Sequence, residues 1–382
     1  MSQTTRKDDN TQTSVLYMAM ELSKRTWKLG FGVGNRKCRK INVTAGDVAE
    51  LSEAIRISKD KLKLPPDAKV RSCYEAGRDG FWINRMLLEI GVDNIVVDPA
   101  SIEVNRRKRR AKTDRLDVER MLKGLVTYHE HDPDIWSVVR VPNVQHEDDR
   151  RIHRERGRLM KERTAHRTRI QALLVTMGIE RKPTKNFATW LDTAQLWDGS
   201  VLPVHLKDEL KREYNRLQLV EEQLKKLNKL IADRLKVPQT KSDEKAALLA
   251  SLVAVGPLGA WIVVKELFAW RAFRNRRQVG SIVGLTPTPY DSGDSNREQG
   301  ISKAGNARVR TLMTQLAWLW LRHQPDSQLS KWFQQKFGSG ASRSRRVGII
   351  ALARKLLIAF WRWVDQGVLP EGAQIRALPS PK

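Results

Sequence analysis

Four acidic residues in the first third of the chain have the side-chain chemistry that a divalent metal ion requires. Glu21 and Glu75 each end a predicted strand. Asp114 and Asp117 stand three residues apart at the start of a predicted helix, so both lie on one of its faces. Carboxylate oxygens suit Mg²⁺ or Mn²⁺, and two such ions about 4 Å apart stabilise the attacking and leaving oxygens of a phosphodiester reaction. Each acid alone also fits a turn or a helix N-terminus, but their joint placement favours a metal-dependent phosphodiester site.

Basic residues near these acids could hold a phosphate backbone, although a charge run is equally compatible with a solvated surface. One run directly precedes the aspartates and comprises Arg106, Arg107, Lys108, Arg109, Arg110 and Lys112. A predicted helix from Asp149 to Met177 contributes Arg150, Arg151, Arg154, Arg158 and Lys161. A polar, glycine-containing region nearer the C-terminus contributes Arg297, Lys303, Arg308 and Arg310. We expect these side chains to contact DNA or RNA.

The composition indicates a protein that binds nucleic acid. The chain of 382 residues has 70 Lys and Arg against 43 Asp and Glu, a formal net charge of +27, and such an excess points to a polyanionic partner. Two cysteines, Cys38 and Cys73, are too few for a disulfide framework or a Cys-based zinc site. Residues 1–14 are polar and lack the apolar segment of a secretion signal, which favours a cytoplasmic protein of the bacterial cytosol, associated with the nucleoid. The uncharged stretch Ala246 to Val264 is interrupted by Gly256-Pro257, which predicts two short helices and no membrane contact.

Elements between Val15 and Val126 alternate in a pattern typical of an α/β sheet. Three short antiparallel strands are followed by helix, strand, helix, strand and helix. This order is typical of a ribonuclease-H-like fold, and flavodoxin-like sheets share much of it. In the ribonuclease-H-like arrangement the first and fourth strands are neighbours, which would bring Glu21 and Glu75 together with the two aspartates.

Long helices replace strands after Pro142. Four apolar residues spaced seven apart predict a coiled-coil seam, namely Leu210, Leu217, Leu224 and Ile231. The seam would form in a hairpin with the preceding helix or between the subunits of a dimer or tetramer. The predicted organisation is a tail at 1–14, an α/β catalytic domain at 15–148, a helical coiled-coil region at 149–240, a mostly α domain at 241–367 and a tail at 368–382.

Several motifs, in one order, resemble the DEDD-type insertion-sequence transposases, the insertion-sequence one-hundred-and-ten family. In the first half they are Tyr74-Glu75-Ala76-Gly77 with Phe81-Trp82, Val96-Val97-Asp98-Pro99, and the segment from Lys112 to Arg120. In the second half they are Val255 to Gly259, Phe273-Arg274-Asn275, Gly284 to Pro287, Tyr290 to Gly293 and Gly300 to Arg310. The similarity runs from about Val15 to Val364.

The resemblance implies a RuvC-like domain whose acids, here Glu21, Glu75, Asp114 and Asp117, bind Mg²⁺ or Mn²⁺. It also implies a C-terminal transposase domain whose serine, here Ser292, joins covalently to DNA during strand exchange. A structured non-coding guide RNA would choose the donor and target DNA. The family usually has Asp at the position of Glu21, and the longer side chain moves the carboxylate oxygens by about one methylene.

The residues alone do not select Ser292. Ser295 and Ser302 share its Gly-, Pro- and Asp-rich stretch, Thr286 to Gly305, which predicts a flexible loop, and a serine in a turn is equally well explained by local hydrogen bonding. The favoured function is a DNA transposase or recombinase that forms a phosphoserine intermediate. A site-specific DNA invertase of the same family and a nucleic-acid-binding protein with an altered catalytic site remain as alternatives.

Overall fold

The computed structural model describes residues 15–34, 38–102, 114–292 and 295–376, with the backbone alone for residues 114–116, 289–292 and 295–299. The chain divides into two compact units, of which one ends at Pro142 and the other begins at Asn143. Each unit has its own apolar core.

A five-stranded mixed sheet forms the centre of the first unit. Its strands are β1 (Leu16–Leu22), β2 (Thr26–Gly32), β3 (Arg39–Thr44), β4 (Val70–Glu75) and β5 (Val92–Val97). The order across the sheet is β3-β2-β1-β4-β5. The strands β1, β2 and β3 are antiparallel to their neighbours in a meander, whereas β4 and β5 run parallel to β1. The predicted mixed α/β architecture is confirmed.

Helices cover both faces of this sheet, namely α1 (Val48–Lys61), α2 (Trp82–Glu89) and α3 (Asp114–Glu130). Met18 and Met20 of β1 belong to the core that includes buried residues of α1 and α2. Tyr17 and Ala19 belong to the core that includes α3. Because successive side chains of a strand point to opposite faces, Glu21 lies on the α3 face.

A chain of buried polar side chains fixes α2 against the sheet. The Ser72 hydroxyl donates to Asn94 Oδ1 at 2.7 Å, and Asn94 Nδ2 donates to Asn84 Oδ1 at 2.8 Å. These bonds join β4, β5 and α2. All three residues are buried, so loss of one partner would leave an unsatisfied polar group.

The described residues of the second unit form helices and one hairpin. Its helices are α4 (Val144–Asp149), α5 (Arg151–Val175), α6 (Phe187–Thr193), α7 (Val204–Lys236), α8 (Lys241–Ala250), α9 (Pro257–Val263), α10 (Arg276–Ser281), α11 (Ala307–His323), α12 (Gln328–Phe337) and α13 (Ser342–Gln366), with a π-helical turn at Val264–Phe268. The hairpin consists of β6 (Pro287–Ser292) and β7 (Ser295–Ile301). The helix predicted over Asp149–Met177 is α5, which begins two residues later because Asp149 ends the preceding short helix α4.

The long helix α7 packs along α5 within one chain. Its heptad residues Leu210, Leu217, Leu224 and Ile231 are all at most 4 % exposed. The seam is therefore covered without a second subunit, and both the coiled coil and the oligomer stay predictions.

The apolar stretch near residue 256 forms α8 and α9 on either side of a turn, as predicted. Gly259 in α9 is buried, and a Cβ placed there would lie 3.5 Å from Leu316 of α11, so this turn has a packing role. None of the helices in the described residues is long and apolar enough to span a membrane.

The described residues of the predicted C-terminal tail, up to Arg376, are held by backbone hydrogen bonds. The Val253 N–H donates to the Gln374 carbonyl at 3.0 Å, and the Arg376 N–H donates to the Ser251 carbonyl at 2.7 Å. The buried Gln324 side chain also exchanges hydrogen bonds with the Gln374 backbone. The prediction of an unstructured segment was wrong for these residues, because their backbone groups pair with the turn between α8 and α9.

Candidate functional site

Two of the four predicted acids lie next to each other at one edge of the sheet. β1 and β4 are parallel neighbours whose register pairs Met20 with Tyr74. Glu21 and Glu75 each follow one residue later, so they stand side by side on strands about 4.8 Å apart and point to the same face. Glu21 is half-buried and Glu75 is exposed.

The helix α3 begins near this same edge. Its Val118 lies over Gly30 and its Leu122 over Gly32, since a Cβ on either glycine would meet those side chains at 2.3 and 3.1 Å. Gly30 pairs with Ala19, and Gly32 pairs with Tyr17, one pleat further from the edge. The helix therefore runs antiparallel to β1.

The direction of α3 places its first turn toward the end of β1 that carries Glu21. Asp117, half-buried, directly precedes Val118. The neighbouring Glu119 forms an ion pair with Lys40 of β3, which fixes the rotation of the helix. Glu21, Glu75 and Asp117 thus share one sheet edge and one face.

Three of the four predicted acids, Glu21, Glu75 and Asp117, have described side chains at this edge. The side chain of Asp114 lies outside the described part of the chain. Among the described side chains, no group of three or more His, Cys, Asp or Glu residues is placed to hold a metal ion. The four-carboxylate site stays a prediction that the sheet edge supports.

The predicted serine lies in a β-hairpin, where the sequence predicted a flexible loop. Ser292 ends β6 and pairs with Ser295, the first residue of β7, so it is the last paired position of its strand. The loop prediction was wrong because both strands are polar and Pro287 and Pro289 reduce the strand signal, yet the backbone forms an antiparallel ladder. Ser302, a competing candidate, lies just beyond the hairpin.

Two glycines with positive φ hold the base of the hairpin. Gly284 has φ 66° and Gly305 has φ 93°. A Cβ at Gly284 would lie 2.1 Å from the Ala304 carbonyl oxygen, and one at Gly305 would lie 2.2 Å from the Ile282 carbonyl oxygen. Only glycine allows this contact between the segments that enter and leave the hairpin.

A buried carboxylate ties this base to the rest of the second unit. Glu266, in the π-helical turn, is 2 % exposed. Its carboxylate accepts hydrogen bonds from His153 at 2.8 Å and from the Arg154 guanidinium at 2.9 Å to each oxygen. Asn306 Nδ2 donates to it at 3.1 Å, while Asn306 Oδ1 caps α11 by accepting from the Val309 N–H.

The electrostatics of this cluster favour an ionised Glu266. Burial alone would raise the pKa of Glu266, but the hydrogen bonds from His153 and Arg154 and the Arg154 charge outweigh it and hold that pKa well below the usual range. Burial lowers the pKa of His153, so the ring is neutral near pH 7. Glu266 therefore links α5 to the N-terminus of α11.

A second buried cluster surrounds the adjacent Lys265. Its ammonium group donates to Asp149 at 2.9 Å, to Asp243 at 2.8 Å and to the Ser242 hydroxyl. Arg234 also contacts Asp243, at 2.8 Å. Burial opposes ionisation, but the bonds and charges of Lys265 and Arg234 hold the pKa of Asp149 and of Asp243 below their usual values.

Neither Lys265 nor Glu266 is among the site residues predicted from the sequence. The available signal was their position, because these two charges directly follow the 19-residue uncharged stretch that begins at Ala246. Charges adjoining an apolar core must be paired if they are buried. The partners could not be identified, because His153, Asp149 and Asn306 are distant in the chain.

The predicted nucleic-acid contacts fall into three groups. Arg150, Arg154 and Arg310 have intramolecular roles, since Arg150 is 8 % exposed, Arg154 binds Glu266 and Arg310 donates to the Val283 and Lys303 carbonyls. Five residues are exposed, namely Arg151, Arg158, Lys161, Lys303 and Arg308. The run Arg106–Arg110 with Lys112 and the side chain of Arg297 lie outside the described residues.

The buried arginine departs most from expectation. Arg150 lies over the Trp270 ring with its guanidinium carbon 5.1 Å from the ring centroid, and it donates to the His146 carbonyl. Burial lowers its pKa. Such a side chain packs the fold and is poorly placed for a phosphate.

Comparisons with known proteins converge on one class. A family model described as the Transposase IS116/IS110/IS902 family matches residues 246–331. The chain is 39 % identical over 376 residues to a putative transposase of Sinorhizobium fredii, covering 94 % of each chain. It is 23 % identical to a transposase for an insertion sequence element of Leptospira borgpetersenii, over 79 % of this chain and 84 % of that one. A probable family 20 transposase of Pseudomonas aeruginosa is 27 % identical over 58 % of this chain and 65 % of its own.

Proposed function

The chain belongs to the IS116/IS110/IS902 family of insertion-sequence transposases, and from that premise we propose that it catalyses DNA strand exchange with Ser292 as nucleophile and a carboxylate-held metal ion. The observation that carries the proposal is the sheet edge at which Glu21 and Glu75 stand side by side and α3 begins. The sheet order, with two parallel strands beside an antiparallel meander, supports a ribonuclease-H-like, RuvC-like domain.

The donor set of the edge fits Mg²⁺ or Mn²⁺. Glu21, Glu75, Asp117 and Asp114 would hold the ion with hard carboxylate oxygens. When bound, the ion neutralises charge on the phosphate and polarises its P–O bonds. Glu75 is exposed and Asp117 and Glu21 are half-buried, so the edge is open to a DNA backbone.

The serine supplies the covalent step. The Ser292 oxygen would attack the scissile phosphate, forming an O–P bond as the bond from phosphorus to one deoxyribose oxygen breaks. The proton lost by the serine ends on that leaving sugar oxygen. Attack by a sugar hydroxyl of the partner strand then reverses the chemistry and releases the serine, so no phosphodiester bond is lost overall.

The partners follow from the same proposal. Donor and target DNA are the substrates, a structured non-coding RNA guides the choice of site, and two or more protomers bring two DNAs together. The exposed Arg151, Arg158 and Lys161 on α5 are proposed to contact phosphates.

Covalent adduct formation tests the proposal, and the hairpin provides a matched control. The protein is incubated with supercoiled plasmid carrying the element ends, the non-coding RNA encoded beside the gene and Mg²⁺, and protein-linked DNA is counted after denaturation. Ser292→Ala is expected to abolish adducts. Ser295→Ala, which changes the residue paired with Ser292 across the ladder, is expected to retain them.

The carboxylates are tested in the same assay. Glu75→Gln and Asp117→Asn are expected to lower adduct formation at least 100-fold while DNA binding persists, since each removes a charged ligand. Adducts that persist in Ser292→Ala, or full activity in both acid variants, would reject the mechanism. Binding without any adduct from the unchanged protein would favour the binding-protein alternative, and recombination only between inverted sites would favour the invertase.

A further inference from the structure

A cleft on the first unit lies at the same end of the sheet as the carboxylates, but on the face covered by α1 and α2, and it has no role in the proposed chemistry. It encloses about 460 Å³ and is lined by Ser23, Lys24, Trp27, Gly46, Arg78 and Trp82 with Ala45 and Asp79. That volume lies within the range of pockets that accept small molecules. It is formed by the β1–β2 turn, the turn between β3 and α1, and the loop that joins β4 to α2.

The cleft presents a rigid aromatic surface to solvent. Trp82, the first residue of α2, is 44 % exposed, whereas Trp27 beneath it is 2 % exposed. The two ring centroids are 5.7 Å apart and the planes are tilted by 42°. The outer edge of the Trp82 ring also faces Gly46, where a Cβ would lie 3.8 Å from it. An exposed ring held this firmly loses little entropy when another ring stacks on it.

Positive charge flanks the exposed ring. Lys24 in the β1–β2 turn and Arg78 in the loop between β4 and α2 both line the cleft and are exposed. Arg78 contacts Asp79 at 3.5 Å, with side-chain exposures of 65 % and 29 %, a surface ion pair of the weak kind. An exposed aromatic face with cations nearby is the combination by which many proteins bind single-stranded nucleic acid.

Two loops of the cleft follow directly after the strand ends that carry Glu21 and Glu75. Lys24 follows Glu21 by three residues and Arg78 follows Glu75 by three residues. Three residues span at most about 10 Å, which corresponds to about three stacked nucleotides at 3.4 Å each. The loop on the Arg78 side is held in place because the Tyr74 hydroxyl donates to the Gly80 carbonyl at 3.2 Å.

We propose that this cleft binds one unpaired nucleobase, which stacks on Trp82 while Lys24 and Arg78 contact the flanking phosphates. Strand exchange must unpair bases near the scissile phosphate, and a base removed from its stack is stabilised by an aromatic surface. The proposal rests on the proposed function for its placement beside the reacting strand, whereas the binding itself does not require catalysis. The same chemistry could come from a DNA strand or from a loop of the guide RNA.

Binding of short oligonucleotides to the full chain tests the cleft. Fluorescence anisotropy is measured in EDTA with a labelled twelve-nucleotide DNA strand, the matching RNA strand and the DNA duplex, over a series of salt concentrations. Trp82→Leu is expected to weaken single-strand binding about tenfold and duplex binding less than twofold, with the salt slope unchanged, because stacking releases no counterions. Trp82→Phe is expected to retain most of the affinity.

Two further variants separate stacking from charge and from a general loss of tryptophan. Arg78→Gln is expected to reduce the salt slope for single strands by about 0.7. Trp197→Leu is the matched control, since Trp197 is 91 % exposed on the second unit, and it is expected to bind as the unchanged protein does. Thermal denaturation confirms that each variant is folded.

The results show whether the cleft binds a base and whether that base belongs to DNA or to RNA. If Trp82→Leu weakens binding of the DNA strand alone, the base belongs to the DNA substrate. If it weakens binding of the RNA strand alone, the base belongs to the guide RNA. The proposal would be overturned if Trp82→Leu bound both single strands as tightly as Trp197→Leu does. It would also be overturned if Trp82→Leu lost as much affinity for the duplex as for the single strands. Because no cleavage is measured, a failed Ser292 assay leaves this result intact, and a failed binding assay leaves the adduct result intact.

Discussion

Lys265 is a buried charged residue of the second unit, and its ammonium group donates to three side chains. Its side chain is fully buried between Asp149 and Asp243, which are 4 % and 0 % exposed. Replacing it by Met leaves two buried carboxylates with Arg234 as the remaining cation. We expect Lys265→Met to lower the free energy of unfolding by about 3–5 kcal/mol in urea denaturation.

Lys245 supplies the control for this loss. It pairs with Asp365 at 2.7 Å and contacts the Phe268 carbonyl, but its side chain is 34 % exposed. Lys245→Met should therefore cost less than about 1 kcal/mol. Equal losses in the two variants would mean that the Lys265 cluster is not a buried, coupled group.

The lowered pKa values of Glu266 and His153 should make the free energy of unfolding fall as the pH falls. The pKa of Glu266 is lowered from 4.5 on folding, so its contribution is present above that value and is lost as the pH falls. The lowered pKa of His153 acts in the same direction from about pH 6.5 downward. We expect Glu266→Gln to be less stable than the unchanged protein at pH 7 and to show a flatter decline between pH 5 and 3. Urea unfolding from pH 3 to 8 measures this, and equally steep declines would contradict it.

Among the elements, α3 decides where Asp117 stands. Gly30→Ala would place a methyl 2.3 Å from Val118 Cγ1 and push the helix off β2. We expect a loss of about 1–3 kcal/mol and fewer DNA adducts. Val118→Ala makes room for the methyl, so Gly30→Ala with Val118→Ala should recover adducts and be more stable than the sum of the single effects predicts. Undiminished adducts in Gly30→Ala would show that α3 does not position the acid.

The hairpin offers a pair of glycines that differ only in their surroundings. Gly300 and Gly305 have φ of 90° and 93°. A Cβ at Gly300 meets nothing within 4 Å, whereas one at Gly305 would lie 2.2 Å from the Ile282 carbonyl oxygen. Gly300→Ala should therefore show the backbone strain alone, about 1 kcal/mol, and keep adduct formation. Gly305→Ala should lower adducts at least tenfold, and equal adduct levels would separate the hairpin base from the reaction.

The strands differ in how well the sequence alone predicts them. A continuous apolar run predicted β1 as Val15–Glu21 and the structure has Leu16–Leu22, because a strand covered on both faces is apolar at nearly every position. The Pro-containing, polar β6 and β7 leave no such pattern. The pairing of β6 with β7 is seen only in the backbone hydrogen bonds of the structure.

The site was predictable to a similar extent. Strand ends place Glu21 and Glu75, since parallel neighbours end at one edge. The cluster around Glu266 and the cleft at Trp82 depend on contacts between distant segments, which spacing in the sequence does not encode.

The net charge of +27 governs how the whole molecule meets nucleic acid. Each neutralised phosphate of duplex DNA lowers the slope of log affinity against log salt by about 0.9. If the exposed face of α5 contacts phosphates, replacing Arg151, Arg158 and Lys161 by Gln should reduce the magnitude of that slope by about 2.7, with unchanged stability.

The control must remove the same charge from another surface of the helical region. Lys225, Lys226 and Lys229 are exposed on α7 and were not assigned to nucleic acid. Replacing them by Gln removes three charges as well, so a response to net charge alone would give the same change in slope. We expect the α7 variant to keep the original slope within about 0.5 in anisotropy titrations from 50 to 400 mM salt. Equal reductions in both variants would mean that the charge acts as a diffuse field, with no phosphate contacts localised to α5.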